Sequence, residues 1–285
     1  MSDVNNRLHT LRGEHFRRAQ NLARRTHAAS PAAAQPAPGS DTHAPAGPRG
    51  PKSWTPAPTA AWRAIALSLV VPAPARMPPL TTLCLRLLAA QPPPEFTHDV
   101  LPHLAPHLRR DLVRDAAVHA PLHDAHLWAV CAPAGHAAGE LVVVAPQATL
   151  RDDYFIRQRA GRAPDDDWDT DADAEPLGTL ALVSVRLATS TMLSLPPTLT
   201  RLALLDLGAA VPLHRLPSTC PQLVVLDLSY NAWLCAAADS ERALARVEWG
   251  RWHDLRILGL RGCAVSSTIL GKLNRGRWDD VEVVH

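Results

Sequence analysis

Leu223-Val-Val-Leu226-Asp-Leu228-Ser-Tyr-Asn231-Ala-Trp233 carries leucine at its first, fourth and sixth places, Asn at the ninth and a large apolar residue at the eleventh. In an extended strand successive side chains alternate between faces, so Leu226 and Leu228 point the same way. The pattern returns in phase. Downstream it reappears as Leu255-Arg-Ile-Leu258-Gly-Leu260-Arg-Gly-Cys263-Ala-Val265, with Cys in the ninth place. Upstream it reads Leu199-Thr-Arg-Leu202-Ala-Leu204-Leu-Asp-Leu207 and, before that, Leu177-Gly-Thr-Leu180-Ala-Leu182-Val-Ser-Val185-Arg-Leu187. Trp278-Asp-Asp-Val281-Glu-Val283 opens a fifth copy near the end of the sequence.

One such unit cannot bury its apolar strand face alone, but stacked units join their strands and bury the leucines as one column. The turn after each strand must satisfy its backbone groups inside the stack. An Asn side chain can bond them and Cys is small enough to fit, so Asn231 and Cys263 are read as structural positions. The pattern resembles the leucine-rich-repeat family, of its RNI-like type, over residues 177–285. That resemblance implies an α/β chain: a short solenoid of parallel strands with an irregular or helical convex side. The long third repeat has room for a full helix, with Ser240 as N-cap, Glu241 in the first turn, and Leu244 and Val247 toward the core. Trp249 and Trp252 are expected to pack at its end, while Pro217 and Pro221 give the second repeat an irregular or 3₁₀ return.

Working upstream, residues 151–176 form an acidic loop; nine of the 27 acidic residues lie between 152 and 175 without apolar periodicity. Residues 60–150 read as a helical block with a hairpin. Leu80, Leu83, Leu87 and Leu88 fall at helical spacing, as do Leu101, Leu104, Leu108 and Leu112. The runs 127–132 and 140–145 flank a Gly-containing link and predict a β-hairpin. A helical segment before such repeats resembles F-box proteins. The matching residues are Pro78-Pro79-Leu80, Leu83, Leu87, Leu88, Leu108-Arg-Arg-Asp111-Leu112 and Val118. The sequence departs from that motif at Pro92-Pro93-Pro94 and lacks its closing Cys-x-x-Trp. The resemblance implies that the helices bind the adaptor subunit of a cullin-type ubiquitin ligase and the repeats bind its substrate. The competing reading is a helical cap over the open end of the repeats.

Residues 1–59 read as a disordered basic and Pro/Ala-rich tail; 12 prolines lie between 31 and 79. Six arginines against Asp3 and Glu14 in residues 1–30 leave a mitochondrial presequence open. The other reading of the compartment is cytoplasmic or nuclear. Across 285 residues the net charge is +2, which argues against bulk nucleic acid as a partner. The strongest apolar run, Ala64–Val71, is too short to span a bilayer and reads as a core helix ended by Pro72. Five cysteines, an odd count without a CxxC pair, point to neither a disulfide framework nor a zinc ribbon. Against 27 prolines there are only five Phe and Tyr residues, which disfavours an aromatic-rich β-sandwich. The strand at Val281–Val284 has no capping unit after it in this sequence, an edge expected to be covered by the upstream block or a partner.

Seven of the 14 histidines lie between His98 and His136. The pairs His103/His107 and His119/His123 have the i, i+4 spacing of helical metal ligands, but Pro106 and Pro121 interrupt them. No nucleotide-binding or hydrolase motif occurs, so no metal or cofactor is assigned. Recognition then falls to the strand positions between the repeat leucines: Arg201, Asp206, Val225, Asp227, Tyr230, Ile257 and Arg261. These residues mix both charges with one aromatic and two β-branched side chains, as protein-binding surfaces do. The expectation is a non-enzymatic protein-interaction module. The alternatives are a metal-dependent enzyme using the His98–His136 cluster and a scaffold subunit of a larger complex.

Overall fold

The repeated leucines become strands at the same register. In the computed structural model β1 (Glu140–Val144), β2 (Thr179–Val183), β3 (Arg201–Leu205), β4 (Val225–Asp227), β5 (Ile257–Gly259) and β6 (Glu282–Val284) lie in chain order as one six-stranded, all-parallel sheet. Leu141, Leu180, Leu202, Leu226, Leu258 and Val283 stand side by side across it. The structure describes residues 58–71, 78–132, 134–160, 175–275 and 280–285. Most of the expected tail, the acidic run 161–174 and Trp278 lie outside them.

Helices complete an α/β fold. Before the sheet come α1 (Pro58–Ala66), α2 (Leu80–Ala89), a run of short helical turns over 93–103, α3 (Pro106–His119) and α4 (Asp124–Cys131). Pro106 opens α3, where its missing N–H costs nothing. Between strands lie α5 (Tyr154–Ala160), α6 (Thr189–Leu193), α7 (Leu216–Thr219), α8 (Ala237–Ala245) and α9 (Ser267–Leu273).

The turn leaving the strand is the same object four times. Ser184, Asp206, Tyr230 and Gly262 occupy the eighth place of successive repeats, and all have positive φ, from 50° to 71°. Three are not glycine, so each holds a left-handed conformation costing about 1–2 kcal/mol. Hydrogen bonds over-determine the turn. Asn231, fully buried, accepts from Leu207 N–H at 2.9 Å through Oδ1. Its amide donates to Leu204 O in the preceding repeat at 2.8 Å and to Leu228 O in its own at 2.6 Å. Cys263 repeats part of this one unit on: its Sγ lies 3.5 Å from Leu228 O. Asn231 and Cys263 therefore link neighbouring turns.

Four expectations are corrected. The hairpin is not formed: residues 127–131 are helical in α4, and β1 pairs in parallel with β2 along its whole length. Among the described residues one antiparallel bridge, Ala137 with Glu140, remains of it. A short apolar run fits a strand and a buried helix equally well. Asp124 decides for helix, accepting from Thr149 N–H at 2.8 Å and Trp128 Nε1–H at 3.1 Å. Ser240 is not the N-cap; α8 starts at Ala237 and buries Ser240 in its first turns. Leu244, Val247, Trp249 and Trp252 are buried as expected. The 151–176 segment is not loop throughout, because α5 buries Phe155 and sets Tyr154 against Trp128, ring centroids 4.9 Å apart. The tail boundary at 59 falls inside α1.

Replacing Asn231 by Leu strands two carbonyls and an N–H inside the sheet. Urea unfolding is expected to show a loss of about 2–4 kcal/mol, against under about 1 kcal/mol for Cys263→Ala, whose sulfur makes only weak bonds.

Candidate interaction surface

Most strand positions between the leucines, expected to face a partner, are covered by the protein's own helices. Val142 and Val144 of β1 line a gap of about 10 Å³ with Val113, Ala116 and Ala117 of α3. Arg114 of α3 grips Glu140 through two hydrogen bonds, one of 2.6 Å. Farther along this face, Ala181, Val183, Ala203 and Leu205 are at most 1% exposed.

The chain from α1 to Val71 covers the next strands. Leu69 sits so close to β5 that a Cβ on Gly259 would stand 2.7 Å from Leu69 Cδ1 and 2.2 Å from Asp227 Oδ1. Only glycine fits there. Trp62 lies against Tyr230 with centroids 5.7 Å apart. Arg261 Nη1 donates to Ile65 O at 2.7 Å and to Ser68 Oγ at 3.0 Å. Arg63 Nε ties α1 to α3 through Val118 O at 2.8 Å.

The seven residues assigned to recognition are therefore split. Arg201 and Asp206 are exposed. Tyr230, Ile257 and Arg261 are half-buried, and Tyr230 and Arg261 are engaged by α1 and the turn after it. Val225 and Asp227 are buried, which removes them from any surface. Parallel sheets are covered on both faces, and here the upstream helices supply the second cover.

Asp227 is the costly member of this interface. Its Oδ1 accepts from Ser229 N–H at 3.0 Å and from the Ser229 hydroxyl, while Oδ2 has no partner among the described residues. Burial pushes its carboxyl above the ordinary carboxylate range, against the Ser229 hydrogen bonds and the Arg261 charge. Ser229 Oγ in turn accepts from Arg261 N–H at 3.0 Å.

The histidines do not assemble. His103 ends a 3₁₀ turn before Pro106, His119 ends α3, and His123 precedes α4. His126 is buried, with Nε2 2.9 Å from Gln91 O and its ring 5.1 Å from that of Phe96. His136 Nδ1 accepts from Gly139 N–H at 3.1 Å. Among the described residues no three His, Cys, Asp or Glu side chains come together to hold a metal. Burial pushes the Cys263 thiol up to about 11, so it stays protonated at neutral pH.

An apolar surface emerges elsewhere. On α2, Leu80, Leu83 and Leu87 are 76%, 41% and 74% exposed, with Cys84 exposed between them. At 100° per residue these four fall within about a quarter to a third of the helix circumference. The opposite side is anchored by buried Leu85 and by Arg86, whose guanidinium grips Asp115 of α3 through two 2.8 Å bonds. The leucine spacing is visible in sequence, but leucine on every side of the helix hides which side faces solvent.

Among the described residues no helix is long and apolar enough to cross a membrane. Compared with known proteins, the chain matches no family model, no curated protein and no solved structure.

A carboxyl whose folded pKa exceeds its unfolded value binds its proton more tightly when folded. Its contribution to stability therefore falls as pH rises from the ordinary carboxylate range through the raised value. Asp227→Asn removes the buried charge and keeps the Oδ1 acceptor. Urea titrations at pH 4.5 and 7.5 are expected to show a gain of about 1 kcal/mol at the higher pH and little change at the lower.

Proposed function

We propose that this protein is a non-enzymatic protein-interaction module built on leucine-rich repeats, and that the outward leucine stripe of α2 docks a protein partner. The carrying observation is that stripe: three leucines and a cysteine left in water on a helix otherwise locked to α3. Contiguous exposed apolar residues at i, i+3 and i+7 are how amphipathic helices engage partner grooves. The repeat reading is supported by the in-phase strands, the four left-handed turns and the Asn231 ladder.

The sharper form of the proposal makes the chain a substrate-recognition subunit of a cullin-type ubiquitin ligase, acting in the cytoplasm or nucleus. Pro78-Pro79-Leu80 opens α2, and the stripe lies where the F-box resemblance calls for adaptor contact. The same resemblance covers Leu112 and Val118 of α3, and both are buried, which supports a core role for them under α2. This step rests on analogy between folds.

The test is retention of the recombinant adaptor subunit by the full-length chain. The wild type is expected to retain it, and Leu80→Glu with Leu87→Glu to lose at least about tenfold in affinity. Both positions are exposed, so the urea midpoint should hardly move, whereas Leu85→Ala should cost about 2–4 kcal/mol. Failure of the wild type to retain the adaptor, or retention unchanged in the double variant, overturns the ligase reading.

A further inference from the structure

The unequal spacing of the repeats creates a second feature on the crossover side of the sheet. The repeat that runs from Leu199 to Leu223 is shorter than the one that runs from Leu223 to Leu255. The additional chain forms α8, which lies beside the 3₁₀ turn Leu213–Arg215 of the shorter crossover. Between them is a cleft of about 500 Å³. That volume is in the range of ligand sites.

Its walls have a definite chemistry. Val211, Leu213 and Trp233 supply an apolar floor, with Val211 and Leu213 buried. Arg242 and Arg246, one turn apart at the α8 end of the cleft, stand on the rim and are exposed, and His214 adds a hydrogen-bonding ring. Among the described residues Asp239 is the one carboxylate there, and Arg242 Nη1 lies 3.4 Å from it. Arg246 makes no ion pair among the described residues. The rim therefore keeps one uncompensated positive charge above an apolar floor.

We propose that this cleft binds an extended acidic peptide of a second protein, its carboxylates on Arg242 and Arg246 and one apolar or aromatic side chain on the Val211–Leu213–Trp233 floor. Guanidinium groups pair with carboxylates in forked geometry, and the apolar floor rewards a buried side chain. The rim is exposed at Thr189, Ala210 and Asp239, so a ligand lies across the cleft rather than being engulfed. Two arginines beside a carboxylate are a poor match to nucleic acid, where a typical site gathers several phosphate contacts. The site is separate from the α2 stripe and does not depend on the ligase reading.

The experiment is fluorescence anisotropy of the full-length chain with labelled heptapeptides. One set carries Asp and Glu around a central Leu, Phe or Trp; a second has Asn and Gln in place of the acids; a third is single-stranded RNA. The acidic set is expected to bind at least about tenfold more tightly than the neutral set, and less tightly as salt rises. Arg242→Glu with Arg246→Glu should abolish that preference, while Leu80→Glu with Leu87→Glu leaves it intact. If the reversed pair alters folding, Arg242→Gln with Arg246→Gln replaces it and should still lose most of the preference. Equal binding of acidic and neutral peptides, no binding below about 1 mM, arginine-independent binding, or preference for RNA each overturns the proposal.

Discussion

A parallel sheet must be covered on both faces, and that requirement organises this molecule. One face carries the repeat leucines and is packed by the chain that connects the strands. The other carries Val142, Val144, Ala181, Val183, Ala203, Leu205, Val225 and Asp227, none more than 5% exposed. Six short strands cannot leave such a face in water, since each fully buried Val or Leu contributes about 1.5–3 kcal/mol relative to exposure. The upstream helices are its cover. Arg114 on Glu140, Arg261 on the Ile65 carbonyl, and Leu69 over Gly259 fix that cover in place.

The same requirement explains where interaction surfaces are left. Once α1 and α3 lie on the sheet, most of that face over β1 to β4 is covered by the chain's own helices, with Arg201 left exposed. The leucines of α2 are the next layer out, with nothing among the described residues upon them. On the crossover side, the connection from β4 to β5 adds α8 and leaves a cleft beside the shorter connection before it. Both features are consequences of packing rather than of any motif.

The polar groups inside the fold divide into two kinds. Asn231 is buried and fully used, joining two repeats through three hydrogen bonds. Asp227 is buried with one oxygen unpartnered among the described residues, so part of its desolvation is uncompensated. The first kind holds the left-handed turns at Asp206 and Tyr230 against their strain. The second is a local cost carried by the α1 interface.

The strands β2 to β6 are legible in the sequence because their signal is local and repeated: an apolar-x-apolar pair in each unit, closed by Asn231 or Cys263 in the two clearest copies. The role of Asn231 is equally legible, since a buried turn leaves few other residues able to bond its backbone. The run that forms β1 suggests a hairpin instead, because an unbroken stretch of buried residues carries no alternation to say which partner it chooses. Recognition residues mislead for a related reason. Exposure of Val225 and Asp227 depends on what lies over them, and Leu69 and Trp62 come from a distant, upstream part of the chain. Periodicity determines which side chains share a face. Only the tertiary structure decides whether that face meets water, a helix or a partner, because burial is set by contacts between segments that no local pattern encodes.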